Sequence, residues 1–316
     1  MRKTSLNCVY KLAQKDERVL FIGSDLGPGV LNDFKENIPE RFFMEGIAEQ
    51  YVIGMAAGLA FDGFIPYVNT IAVFLTRRCF EQVTLDLCLH DLPVRLIGNG
   101  GGLVYAPLGP THQAIEDIGI LRTLPNMTIV APCDAEEMKR LMAASLEWPH
   151  PLYIRLAKGG DSVVSKPDLG FEIGRGIHLK KGQDVLLVTT GITAQRALTA
   201  AQVLHDEHID CGVFHMHTIK PFDHEGLMQA AESAVLVITI EEHVLNGGLG
   251  SAVLESFSDH GIFIKVVRLG IPDVFAEQYG SQDTIMAGFG LDPDNILKTV
   301  NQHLIQKDKT VEKIHG

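Results

Sequence analysis

Glu49 closes the segment Gly46-Ile47-Ala48-Glu49-Gln50, just ahead of the small-residue run Gly54-Met55-Ala56-Ala57-Gly58-Leu59-Ala60. Small residues allow one helix face to pack closely, and a carboxylate sits comfortably in a helix's first turn. Partly desolvated, such a carboxylate would hold its proton more tightly and could act as donor or acceptor. A plain helix-start carboxylate explains the same residues. His112 lies in a long Gly-rich stretch, Gly98-Asn99-Gly100-Gly101-Gly102 through Gly109-Pro110-Thr111-His112-Gln113. An imidazole on such a loop suits proton transfer near neutral pH. The glycine spacing fits neither the dinucleotide nor the phosphate-loop fingerprint, and a structural turn capped by Thr111 is the alternative.

Other segments offer weaker chemistry. Phe74-Leu75-Thr76-Arg77-Arg78 could stack a ring and hold an anion, or be a core Phe beside two solvated arginines. Arg155, before Lys158-Gly159-Gly160, could fork onto a phosphate or pair with an acidic neighbour. Glu241-Glu242-His243, followed by Asn246-Gly247-Gly248, has poor metal spacing and reads as a structural or interface loop. His215-Met216-His217 puts two imidazoles on one face of a strand end, where zinc is conceivable but a packed strand is the plainer reading.

Short apolar runs must position these groups. Val19–Ile22, Val94–Gly98, Met127–Val130 and Leu152–Ile154 read as buried strands, alternating with helical patterns near 48–60, 73–91, 113–122 and 135–147. After a polar, Gly-rich stretch at 157–184 the alternation resumes, with strands at 185–190, 211–214, 235–240 and 263–267 and helices near 192–207, 223–233 and 248–259. The expectation is an α/β protein of two domains, 1–170 and 171–316, each a largely parallel sheet flanked by helices.

Composition narrows the function. The chain has 316 residues, 46% hydrophobic and 21% charged, with a net charge of −12. That excludes a disordered chain, and the acidic balance argues against binding nucleic acid. No run of ~18 apolar residues is present, so no membrane helix is expected. The start lacks an apolar signal core. Five cysteines without CxxC spacing fit reduced thiols in a cytoplasm.

Taken in order, Gly46-Ile47-Ala48-Glu49-Gln50, Gly109-Pro110-Thr111-His112-Gln113, Leu124-Pro125-Asn126-Met127 with Ala131-Pro132-Cys133-Asp134, and Glu241-Glu242-His243 carry a resemblance. Over residues 4–305 the chain resembles the C-terminal two-thirds of transketolases and deoxyxylulose-phosphate synthases and, less closely, the β chains of 2-oxoacid dehydrogenases. The resemblance implies a pyrimidine-binding domain for thiamine diphosphate followed by a transketolase-type C-terminal domain. Glu49 then matches the carboxylate on the pyrimidine ring nitrogen, where it favours the imino tautomer that removes the thiazolium proton. Phe74 matches the aromatic on the ring face, and Arg77 an arginine of the synthase-like branch. His112 matches a histidine that binds the substrate oxygen, and Arg155 an arginine that holds a substrate phosphate.

Leu108, Gly100 and Ile71 depart from the family pattern, where polar or aromatic side chains are usual, implying a wider, less polar pocket. The Gly-Asp-Gly motif that holds the diphosphate and its metal is absent; Ser24-Asp25-Leu26-Gly27 and Phe61-Asp62-Gly63 do not supply it. The resemblance therefore implies a split enzyme. This chain would hold no metal, and a partner subunit would carry the diphosphate with Mg2+ or Ca2+. A homodimer and an α2β2 assembly are expected, with helices 52–60 and 83–89 partly covered by a partner. The implied activity is transfer of a two-carbon ketol unit between sugars or sugar phosphates. A decarboxylating thiamine enzyme or a non-catalytic homologue is the alternative.

Overall fold

Runs rich in Val, Ile and Leu become strands buried on both faces, as parallel sheets covered by helices require. In the computed structural model residues 1–23, 29 and 31–314 are described, the side chains of 305–314 excepted, so Ser24-Asp25-Leu26-Gly27 falls outside the described residues. Among the described residues twelve strands form two sheets. They are β1 (Val19–Gly23), β2 (Phe42–Met44), β3 (Ile65–Ile71), β4 (Arg95–Asn99), β5 (Thr128–Val130), β6 (Leu152–Leu156), β7 (Ile177–Lys180), β8 (Val185–Thr189), β9 (Cys211–His215), β10 (Thr218–Lys220), β11 (Leu236–Val244) and β12 (Lys265–Ile271).

The first sheet has the order β10-β5-β6-β4-β3-β1-β2 and the second β12-β11-β8-β9-β7. Both are parallel except at one edge, where β10 runs antiparallel to β5 and β7 antiparallel to β9. The two units therefore form one α/β molecule with mostly parallel sheets. Because β10 leaves the second unit to pair with β5, the sheets are tied by backbone hydrogen bonds as well as packing. One apolar cluster holds Phe21, Ile97 and Met138 together with Val185, Leu187 and Leu204. The core thus runs across the boundary without a break.

Several elements differ from the sequence expectation. The helix expected at 113–122 starts only at Asp117. Ala114 pairs instead with Gly102 through both its N–H and its C=O, which keeps it out of the helix. The helix expected at 73–91 is broken. Ala72–Thr76 is followed by Phe80–Gln82 and a wide π-type turn at Val83–Cys88. Thr84 Oγ1 donates to Phe80 O at 2.6 Å, a local bond that competes with regular helix geometry. The polar stretch 157–184 contains an edge strand, β7, whose His178 and Lys180 hid it. Phe263, expected in a strand, is fully exposed before β12 begins.

No helix among the described residues is long and apolar enough to cross a membrane. The five thiols are unpaired.

Candidate active site

The carboxyl ends of β3, β4 and β6 face one rim of the first sheet, the usual place for a ligand in such folds. The helix Glu49–Phe61 begins there, β3 runs directly into Ala72–Thr76, and the loop after β4 carries His112.

Glu49 is the first residue of its helix and is buried. Its Oε2 accepts from Arg78 Nη1 at 2.6 Å. The same guanidinium lies 4.0 Å from the centroid of the Phe74 ring, a cation–π contact. On its other side Phe74 meets His112 edge-on, with ring centroids 5.4 Å apart. Thr111 Oγ1 lies 2.8 Å from His112 Nδ1, which leaves Nε2 at the opposite end of the ring. Three residues expected from the sequence, Glu49, Phe74 and His112, are thus brought into one cluster, joined by Arg78.

Arg78 stands in the sequence only as one of a pair of arginines beside Phe74, and its contact with Glu49 was not foreseen. Its spacing of four from Phe74 was the available signal, since i and i+4 share a helical face. Arg77, expected at the cofactor, is engaged beside His112. It pairs with Glu116 at 3.0 Å and donates to Pro110 O and Thr111 O, so it holds the His112 loop.

Arg155, expected at a substrate phosphate, is 6% exposed and engaged by the protein itself. Nε donates to Asp117 Oδ2 at 2.8 Å, and Nη2 donates to Ala114 O and to Glu242 O. Burial works against the charge, but Asp117 and Glu242 outweigh it and hold the guanidinium above arginine's ordinary range. Tyr153 adds a hydroxyl to Asp117 Oδ2 at 2.7 Å.

The departures at Gly100 and Leu108 line one cavity of about 250 Å³, beside Tyr105 and Lys158. Gly100 does not widen it. A Cβ there would lie 2.1 Å from the Tyr105 ring, so tyrosine already fills that space. Ile71, the third departure, packs with Phe74 against Ala72 and Ala114.

Glu241-Glu242-His243, expected in a loop, is the end of strand β11, where it meets the first sheet's unit. Glu241 caps the helix Leu249–Asp259, accepting from Leu249 N and Gly250 N. Glu242 accepts from Leu103 N, and His243 Nε2 accepts from Gly119 N, both in the first sheet's unit. His215 and His217 take different partners. His217 stacks on Phe171, and burial lowers it to about 4. His215 joins Cys133 and Glu137, whose ligand atoms lie within 4.8 Å of one another. Glu137 Oε2 there already accepts from Cys133 N at 2.6 Å and lies 3.1 Å from His215 Nε2.

The expected partner-covered helices divide. Val52, Ile53, Ala56 and Ala57 are buried in this chain's own core, while Ile47, Tyr51, Leu85 and Leu89 stay exposed around them.

Comparison with known proteins agrees with this layout. Residues 1–160 match the transketolase pyrimidine-binding domain, and residues 174–296 match the transketolase C-terminal domain. The chain is 36% identical over 300 residues to one subunit of the apulose-4-phosphate transketolase of Phocaeicola vulgatus, covering 94% of this chain and 95% of that one. It is 37% identical over 296 residues to 1-deoxy-D-xylulose-5-phosphate synthase of Syntrophotalea carbinolica, covering 93% of this chain but 46% of the synthase. The chain therefore spans about half the length of such synthases. A solved split-gene transketolase, described as an inactive β4 tetramer, superposes with a TM-score of 0.88 at 38% identity, over 95% of this chain and 97% of that one.

Proposed function

Since this chain belongs to the transketolase family, we propose that it is the pyrimidine-binding subunit of a two-chain enzyme that transfers a two-carbon ketol unit between sugar or sugar-phosphate substrates. The observation that carries this reading is the Glu49–Arg78–Phe74–His112 cluster at the strand ends, in a chain without a Gly-Asp-Gly motif.

The residues present fit the pyrimidine half of thiamine diphosphate. A buried carboxylate and a flat aromatic ring share one neighbour. Close by, Gln113 has both amide atoms buried without partners, and so has Asn99 at Oδ1. Buried polar atoms are seldom left so unless another group completes them. When bound, thiamine diphosphate supplies a nucleophilic carbon that can break and remake the bond beside a ketone.

Glu49 would hold a proton at Oε2, the atom Arg78 now engages. Phe74 would offer the ring face that Arg78 now covers. His112 would give or take a proton at Nε2 on a substrate oxygen, its ring oriented by Thr111 and Phe74. The diphosphate, with Mg2+ or Ca2+, would be held by the partner subunit. Exposed Ile47, Tyr51, Leu85 and Leu89 support a covered surface in a homodimer or α2β2 assembly. The domain limits are taken as 1–170 and 171–316, and reduced thiols support work in the cytoplasm.

The likeness to synthases supports a second reading, a decarboxylating reaction at the same cluster. The test is co-assembly with a candidate subunit carrying Gly-Asp-Gly. Calorimetry should show weak thiamine diphosphate binding by this chain alone and tight binding by the pair. Hydroxypyruvate consumption that requires an aldose acceptor favours transfer, and consumption of pyruvate favours the second reading. Tight magnesium-dependent binding by the lone chain overturns the split enzyme.

A further inference from the structure

The loop between β4 and the helix Asp117–Arg122 carries His112 two residues before its closing neck, yet it belongs to neither sheet. Its ends meet at a narrow neck. Gly102 N donates to Ala114 O at 2.8 Å, and Ala114 N returns a bond to Gly102 O at 3.0 Å. A two-residue bridge is a weak closure for a loop this long, so what surrounds the neck decides how well His112 beside it is held.

What surrounds it belongs largely to the second unit. Glu242 Oε1 accepts from Leu103 N at 2.8 Å, on one strand of the neck. Val244 N donates to Ile115 O at 2.8 Å, on the other. Arg155 crosses between them, with Nη2 donating both to Ala114 O and to Glu242 O. Gln282 Nε2 fixes the Glu242 carboxylate from behind at 2.7 Å. The fit leaves no slack. A Cβ on Gly102, whose φ is +65°, would lie 2.3 Å from Glu242 Cδ, and one on Gly101 would lie 2.5 Å from Arg155 Cγ.

We propose that the second domain braces the His112 loop, with Glu242 as the positioning residue that fixes the loop neck through Leu103 N and keeps His112 facing Phe74. The catalytic meaning of the brace rests on the reading of His112 given above. Glu242 itself touches no substrate. It acts through the backbone of the loop, and a catalytic group displaced by about 1 Å can lose as much as a hundredfold in rate.

The test uses the full chain assembled with its diphosphate-binding partner and hydroxypyruvate as ketol donor. Glu242→Asp keeps the charge but withdraws it from Leu103 N. Glu242→Gln keeps the reach and an acceptor oxygen. Arg122→Ala removes contacts to Gly247 O and Glu255 in the second unit without touching the neck. Glu242→Asp should lower kcat roughly ten- to a hundredfold with little change in donor KM, and should speed hydrogen exchange at Leu103. Glu242→Gln should restore both, while Arg122→Ala should lower Tm and leave kcat unchanged.

Unchanged exchange at Leu103 in Glu242→Asp overturns the proposal. So does an equal loss of kcat in Arg122→Ala, or faster exchange without loss of kcat while His112→Ala is inactive. If His112→Ala keeps full turnover, the reading of His112 fails by itself and the brace is decided by the exchange result. Should Glu242→Asp not fold, Gln282→Ala removes the other partner of Glu242 and should give the same pattern in milder form.

Discussion

Arg78 and Arg155 each pair with a buried carboxylate, Glu49 at 2.6 Å and Asp117 at 2.8 Å, yet their surroundings make them opposites. The Arg78 side chain is 43% exposed, and its remaining contact is the face of Phe74. That of Arg155 is 6% exposed and bonded to two carbonyls besides its carboxylate. Arg78 can swing into solvent, and water can follow into the space it leaves beside Glu49. Arg155 cannot, because moving it strands Asp117 in a dry interior. A site meant to receive a ligand needs the first kind of contact, and a joint between domains needs the second.

The largest effect expected from breaking this contrast is at Glu49. Glu49→Gln keeps the shape of the side chain and one hydrogen bond but cannot share a proton. Loss of an acid–base group typically lowers turnover by ~10²–10⁴-fold. Assembled with its partner, the variant should lose kcat in that range while circular dichroism and Tm stay near wild type. Activity above about a tenth of wild type would reduce Glu49 to a helix-start carboxylate.

Arg155→Ala should act on folding instead. Removing one partner of a buried pair costs about 3–5 kcal/mol. Here Asp117 and the hydroxyl of Tyr153 would be left facing each other without the cation. Urea unfolding should show a midpoint shift of that size, and the loss should not depend on whether a substrate carries a phosphate. A stable variant that fails only on phosphorylated substrates would return Arg155 to the anion-binding role that the sequence resemblance gave it.

That role shows where sequence reasoning stops. The strands at 19–22, 94–98, 152–154 and 185–190 were legible because continuous Val, Ile and Leu runs leave few other ways to bury them. The edge strands Ile177–Lys180 and Thr218–Lys220 were not, since each has only one neighbour and carries lysine. Glu49 and His112 could be picked out by residue type beside small or glycine-rich neighbours, and Phe74 by the family resemblance alone. Arg155 has the same chemistry as a phosphate ligand, and only its three-dimensional neighbours, Asp117, Ala114 and Glu242, show that Nε and Nη2 are engaged. Burial is set by which elements meet, and 38 positions of sequence separate Arg155 from Asp117.

The domain joint also carries a pH signature. His243 Nδ1 donates to Val244 O at 2.6 Å, and Nε2 accepts from Gly119 N at 3.0 Å, so a second proton would cost the Gly119 bond. Burial lowers His243 to about 4. With the folded pKa below the ordinary 6.5, the unfolded chain takes the proton first. The stability from His243 is complete above about pH 6.5 and is lost as pH falls toward 4. Glu241, pushed up to about 7 by burial, works in the opposite direction, so the comparison must be with His243→Gln. The stability advantage of wild type over that variant should shrink by ~2 kcal/mol between pH 7.5 and 5. A constant difference in urea midpoints would mean His243 is not neutral and buried as described.

Arg78→Ala should give the smallest stability change and is the direct counterpart of Arg155→Ala. Arg78 is 43% exposed, so its removal opens the Glu49 carboxylate to water. An ion pair with one such partner contributes about 0–1 kcal/mol, with about 0.5–1 kcal/mol more from the cation–π contact. Glu49 stays at its helix start, where the helix dipole still favours the carboxylate. The midpoint of unfolding should therefore move by about 1 kcal/mol, against several for Arg155→Ala. The two readouts separate the roles further. If Arg78 gives up Glu49 and Phe74 when the cofactor enters, its loss should leave kcat within a few-fold of wild type and tighten thiamine diphosphate binding by the assembled enzyme, since no contact has to be broken first. If Arg78 instead stays on Phe74 during the reaction, the same substitution should weaken cofactor binding. A shift of several kcal/mol in stability would contradict both, because it would make Arg78 as firmly built in as Arg155.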